Sequence, residues 1–190
     1  MNYAAIKKND VANGPGIRVS LFVSGCRHYC HGCFNSEAWD FGYGSRFDDS
    51  VIQEILAACD RPYIDGLSVL GGEPLESENQ ECVLSLLREF RARFPQKSVW
   101  FYTGFTLDSE LGAVGSRADT PILQEILSLV DVLVDGRYDA SKRDLSLRFR
   151  GSSNQRIIDM KKTTDPCRPV LWDDSAETAE FRDEVKENRI

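Results

Sequence analysis

The chain has 190 residues, 42% of them hydrophobic and 28% charged, with a net charge of −7, the composition of a soluble globular protein that can bury a core. No Lys/Arg-rich block gives an electrostatic reason to expect nucleic acid, no run of 18 apolar residues suits a membrane span, and Met1-Asn2-Tyr3-Ala4-Ala5-Ile6-Lys7-Lys8 lacks the apolar region of a signal peptide, so a cytoplasmic location is the expectation. Of six cysteines three fall within eight residues, which in a reducing compartment points to metal binding and away from a secreted disulfide framework.

Residues 1–16 read as a lead-in closing on the turn Asn13-Gly14-Pro15-Gly16. Residues 17–24 are apolar and β-branched, a buried strand. The cysteine loop follows its C-terminal end, where open α/β sheets and barrels place their chemistry. Residues 35–47 are aromatic and glycine-rich, an ordered loop. Asp48-Asp49-Ser50 starts a helix whose stripe is Val51, Ile52, Ile55, Leu56 and Cys59, and Pro62 ends it. Residues 64–70 form a second strand running into Gly71-Gly72-Glu73-Pro74. A helix over 78–94 carries Val83, Leu86, Leu87, Phe90 and Phe94, and Pro95 closes it. Residues 98–102 are a third strand, with Thr103-Gly104 at its end and a variable segment, 105–118, beyond. Thr120 as N-cap and Pro121 at the first position predict a further helix, with Ile122, Ile126, Leu127 and Val130 facing inward. Residues 131–134 are a fourth strand, ending in Asp135-Gly136-Arg137-Tyr138-Asp139. Residues 145–149 and 155–160 are expected to pair around Gly151-Ser152-Ser153-Asn154. From about 161 the chain is charged and proline-interrupted, and 175–190 reads as an exposed helix or loose tail.

Strands alternating with helices imply an α/β fold with a mostly parallel sheet. A complete eight-fold barrel needs about 250 residues, so the expectation is a partial, open (β/α) barrel of about five or six mostly parallel strands. It would occupy residues 1–160, with 161–190 a charged C-terminal tail or peripheral helix.

The chemistry concentrates in Cys26-Arg27-His28-Tyr29-Cys30-His31-Gly32-Cys33, which also holds both histidines of the chain. Fully extended, Cys26 to Cys33 would span about 25 Å, so three thiols meet at one centre only if the loop curls, which Gly25 and Gly32 permit. Two metals suit the loop. Zinc would take Cys26, Cys30, Cys33 and either His28 or His31, although no second cysteine pair answers from elsewhere, as zinc ribbons usually require. An iron–sulfur cube ordinarily takes four cysteines; three leave one iron open to a small molecule, as in catalytic metal sites. Gly71-Gly72-Glu73-Pro74 lets backbone approach a ligand and adds a carboxylate, and Asp135-Gly136-Arg137 offers an acid and a base at another strand end. Cys59 and Cys82 read as core residues, and Cys167 is given no role. His28 and His31 are expected to be solvent- or partner-facing groups on the loop, not ligands.

Taken together these features resemble the radical S-adenosylmethionine (SAM) superfamily, with CxxxCxxC after the first strand and GGEP after the second. Asn13-Gly14-Pro15-Gly16-Ile17-Arg18 looks like the DGPGIR element of its glycyl-radical-enzyme activases, with Asn for Asp, and Cys33-Phe34-Asn35 resembles their CYN. Tyr102-Thr103-Gly104, Asp135-Gly136-Arg137-Tyr138 and Phe149-Arg150-Gly151-Ser152-Ser153-Asn154-Gln155-Arg156 are similar to the branch that acts on anaerobic ribonucleoside-triphosphate reductase. The likeness covers about residues 10–160. It implies a [4Fe–4S] cluster on Cys26, Cys30 and Cys33, with SAM chelating the fourth iron. It also implies that Gly71, Gly72 and Glu73 meet the SAM amino group, that Gly32 and Phe34 contact SAM beside the cluster, and that Asp135 and Arg137 stand near the methionine moiety or the incoming peptide. Its implied partners are the reductase, which would receive a glycyl radical, and a reduced flavodoxin or ferredoxin-type electron donor. No ferredoxin-like insertion of the kind other activases carry is visible.

Overall fold

A computed structural model describes residues 1–173. The strands are β1 (Asn2–Asp10), β2 (Arg18–Val23), β3 (Ser45–Arg46), β4 (Gly66–Gly71), β5 (Ser98–Tyr102), β6 (Val132–Asp135) and β7 (Arg156–Asp159), and the helices are α1 (Asp49–Cys59), α2 (Ser77–Arg93) and α3 (Leu123–Ser128). They build one seven-stranded sheet in the order β3-β1-β2-β4-β5-β6-β7. The central neighbours β2, β4, β5 and β6 run parallel, whereas β1 pairs antiparallel with β2 and β3, and β7 antiparallel with β6. The sheet is therefore open and mixed, with seven strands in place of the expected five or six mostly parallel ones.

The parallel centre follows from its composition. Val19, Leu21, Val23, Leu67, Val69, Val99, Phe101 and Leu133 alternate onto one face and join α1, α2 and α3 in the main core. On the other face Trp100, Val132 and Val134 form a second cluster with Phe149 and Trp172. Asp48 caps α1 by accepting from Ser50 N–H and Val51 N–H, as the sequence predicts.

The differences lie at the margins. The lead-in forms β1, whose half-buried residues lack the apolar density that marked its neighbour; its partner across the sheet supplies the order. Within the segment read as loop, Ser36–Trp39 forms a 3₁₀ turn and Ser45–Arg46 is β3. The Thr120 hydroxyl bonds to Gln80 of α2 and caps nothing, and the helix begins only at Leu123. Residues 145–149 do not pair with β7, which takes β6 as its antiparallel neighbour instead. Beyond β7 the chain turns back: Leu171 bridges Ile158, and Trp172 lies against Trp100 and Phe149 with ring centroids 5.1 and 6.2 Å away. The helix or tail expected at 175–190 lies outside the described residues. Among those described, no helix is long and apolar enough to cross a membrane.

Candidate active site

The sheet brings the C-terminal ends of β2, β4, β5 and β6 side by side, and the sequence places the cysteine loop, GGEP, Thr103-Gly104 and Asp135-Gly136-Arg137 at those four ends. The loop's base is pinned by backbone: Gly25 and Cys26 N–H donate to the carbonyls of Ala38 and Trp39 at 2.8 and 3.1 Å. It then curls through left-handed residues Gly25 (φ 93°), Tyr29 (φ 48°) and Gly32 (φ 74°), and Cys33 N–H closes on the Cys30 carbonyl at 3.1 Å.

All three cysteines are unpaired thiols, Cys26 buried and the other two half-buried. Burial, reinforced by the negative charges of Glu73 and Glu76, pushes the Cys26 thiol up to about 12. Burial and the neighbouring Cys33 also raise Cys30. Both shifts disfavour bare thiolates, and a bound cation reverses them.

Two buried carboxylates from the turn between β4 and α2 grip the loop. Glu76 accepts from Arg27 N–H at 2.8 Å, from the Arg27 guanidinium at 2.9 Å and from Arg117 at 3.1 Å. Glu73 accepts from Leu75 N–H (2.9 Å), Thr103 Oγ1 (2.9 Å), Gly104 N–H (2.7 Å) and His28 Nε2 (2.9 Å). Its two oxygens thus carry two donors each, which fills a carboxylate. A Cβ on Gly71 would lie 2.5 Å from Val23 N, and one on Gly72 2.6 Å from the Gly25 carbonyl oxygen. What these glycines approach is the backbone of the cysteine strand and its loop.

At the end of β6, Asp135 is fully buried and accepts from Leu107 N–H at 2.8 Å and from Arg156 Nε at 2.9 Å. Arg137 reaches the other way, to His28 Nδ1 at 3.1 Å and Glu110 at 2.7 Å. A hollow of about 390 Å³ opens here, between His31 on the loop and Arg137, Tyr138 and Asn154. Gly32 and Phe34 are both exposed, Phe34 by 84%, and Gly32 lies toward Ala140 and Tyr138 at the hollow's rim.

A family model described as "4Fe-4S single cluster domain" matches residues 12–158. The chain is 39% identical to the anaerobic ribonucleoside-triphosphate reductase-activating protein of Escherichia coli K12, over 83% of this chain and 97% of that one. It is 40% identical to the protein of that name from Pasteurella multocida, over 83% and 96%, and 39% identical to that of phage T4, over 83% and 93%. The chain belongs to this family of activating proteins.

The family's [4Fe–4S] group fits the donors present. Three unpaired thiols share one curled loop, while Cys59 is buried in α1 and Cys167 is exposed beyond β7. The zinc alternative fails on the family match and, for His28, on its ring: both nitrogens are already engaged.

The expectation that His28 faces solvent or a partner is also wrong, since its side chain is 2% exposed. Sequence reasoning missed Arg27, Glu76, Arg117 and Arg156 as parts of the site as well. Glu76 stands two residues after Pro74 and could have been paired with the loop; for Arg117, in the variable segment, no local pattern gives a signal.

Proposed function

We propose that this protein installs a glycyl radical on anaerobic ribonucleoside-triphosphate reductase, holding its [4Fe–4S] cluster by Cys26, Cys30 and Cys33 and binding SAM at the iron left open. The supporting observation is the three-thiol loop, clamped by Glu73 and Glu76 in a chain alike along most of its length to reductase-activating proteins. When bound, the reduced cluster would supply the electron for reductive cleavage of the SAM sulfonium, the chemistry from which the glycyl radical on the reductase would follow.

The chain's own residues hold and orient. Glu73 and Glu76 fix the loop; the backbone of the Gly71-Gly72-Glu73 turn faces the SAM amino end, while the Glu73 carboxylate is taken up in bracing the turn and the loop. Gly32 and Phe34 line the loop side of the ligand. Arg137 offers a cation beside the hollow for the methionine carboxylate or the incoming peptide, and Asp135 holds Arg156 and the Leu107 backbone in the wall. The open sheet serves as a partial barrel, with residues 1–160 forming the catalytic domain and the described stretch beyond 160 packing back onto it through Leu171 and Trp172. A reduced flavodoxin or ferredoxin-type protein is the proposed donor and the cytoplasm the proposed compartment.

The test is anaerobic reconstitution with iron and sulfide, then incubation with SAM, a reductant and the reductase, read by electron paramagnetic resonance. A glycyl radical on the reductase is expected. SAM cleavage with the radical appearing only on a different enzyme would overturn the partner; a colourless protein binding one zinc and cleaving no SAM would overturn the chemistry.

A further inference from the structure

We propose that His28 is a positioning residue that locks the cluster loop to the ligand-facing strand ends, and so sets how the open iron meets SAM. The inference rests on the activase reading above. The ring has a built seat. Gly104 leaves room for it, since a Cβ there would lie 2.6 Å from His28 Cδ2. Phe105 packs edge-on, with ring centroids 4.6 Å apart. Arg137 Nε–H donates to Nδ1 at 3.1 Å, so Nδ1 is the acceptor, and the ring hydrogen sits on Nε2 and donates to Glu73 at 2.9 Å.

One ring therefore joins four elements. His28 itself stands between two cluster cysteines on the loop after β2. Glu73 belongs to the turn after β4 and also gathers Thr103 and Gly104 from the end of β5. Arg137 comes from the end of β6. A shift of the ring moves the thiols relative to the wall that orients the ligand, and small misplacements of that kind carry large costs at reacting centres. Partners one layer out from a metal typically change affinity or activity by about 10–100-fold when removed.

Two variants separate the contributions. His28→Phe fills the seat and loses both hydrogen bonds; His28→Gln offers an amide donor toward Glu73 and no ring acceptor for Arg137. Iron content after anaerobic reconstitution is expected to match the native protein in both. SAM affinity is expected to fall by about tenfold or more in H28F and by less in H28Q, with KM for SAM rising more than kcat for SAM cleavage falls. The change that SAM induces in the paramagnetic signal of the reduced cluster should be altered in H28F and partly restored in H28Q. In the metal-free protein, ¹⁵N shifts of the imidazoles should show the Nε2–H tautomer at His28, and only two histidines need assigning. The inference is overturned by affinity and signal in H28F within twofold of native, by an Nδ1–H tautomer, or by loss of iron from H28Q, which would place the role in cluster assembly. A native protein that loads no iron or cleaves no SAM sinks the activase reading itself; unchanged variants beside an active native protein sink only the role of His28.

Discussion

Each cysteine of the loop occupies a different environment, and that decides what its loss does. Cys26 is buried against Glu73 and Glu76, whereas Cys30 is half-buried, its thiol accepting from the Tyr138 backbone N–H and its carbonyl from Cys33 N–H, contacts that leave the strands beneath untouched. Cys30→Ala should therefore leave the metal-free protein folded, with its stability changed by about 0.5 kcal/mol or less, and should abolish SAM cleavage along with most of the bound iron. Thermal melts, iron analysis and SAM turnover check this together; retained cleavage would contradict the ligand assignment. Glu73 is the other decisive residue. With four donors on two oxygens, it works first as a structural acceptor at the junction of three strand ends.

The parallel strands are tied at both ends by contacts that tolerate little substitution. At the lower end the Arg18 guanidinium, fully buried, donates across β2, β4 and β5 to Ser68 Oγ, the Leu67 carbonyl and the Ser98 carbonyl, each within 2.9 Å. The residues of the Asn13–Arg18 motif thus brace the sheet at the end away from the cysteines. At the upper end, Gly71 closes β4 with φ at 115° and its Cα facing the backbone of Val23. Gly71→Ala meets both a left-handed conformation and a backbone clash, each costing about 1–3 kcal/mol. Urea unfolding of the metal-free variant should show a loss of about 3 kcal/mol. A loss below about 1 kcal/mol would mean that β2 and β4 yield more easily than this close approach implies.

Over the whole molecule, Asp131 joins parts far apart in the chain. It accepts from Val99 N–H at 2.6 Å in β5, from Arg91 at 2.5 Å in α2 and from Lys161 at 2.8 Å beyond β7. Burial opposes its charge, but the bonds from Lys161, Val99 and Arg91 outweigh it and hold the carboxyl below its ordinary value of 3.8. A carboxyl lowered in the folded state stabilises the fold above the unfolded pKa, and that contribution is lost as pH falls through the folded one. Asp131→Asn should therefore be less stable than native near pH 7 by about 1–3 kcal/mol, and the gap should close below about pH 4. Chemical denaturation at pH 7, 5 and 3 reads it; a gap independent of pH would assign the loss to packing. The second cluster matters at this scale too. Trp172, from a segment with no regular structure, covers Trp100 on the sheet face opposite the helices.

Runs of β-branched residues, helical stripes and proline stops were enough to place β2, α1, β4, α2, β5 and β6, because each buries a continuous apolar face whose period shows in the chain. The same local signals put the cysteines, the GGEP turn and Asp135-Gly136-Arg137 at strand ends, and the spacing of the three cysteines marked a metal loop. β1 and the pairing of β7 with β6 were not legible, since β7 at the edge and β1, flanked outward only by the two-residue β3, take their order from a neighbour and need little apolar density of their own. Nor was the seat of His28. Its partners come from residues 73, 104, 105 and 137, brought together only when the parallel strands align in register. A polar residue in a loop reads as exposed until long-range packing excludes water from it, and that exclusion is what turned His28 from a surface group into the link between the cysteine loop and the strand ends beside it.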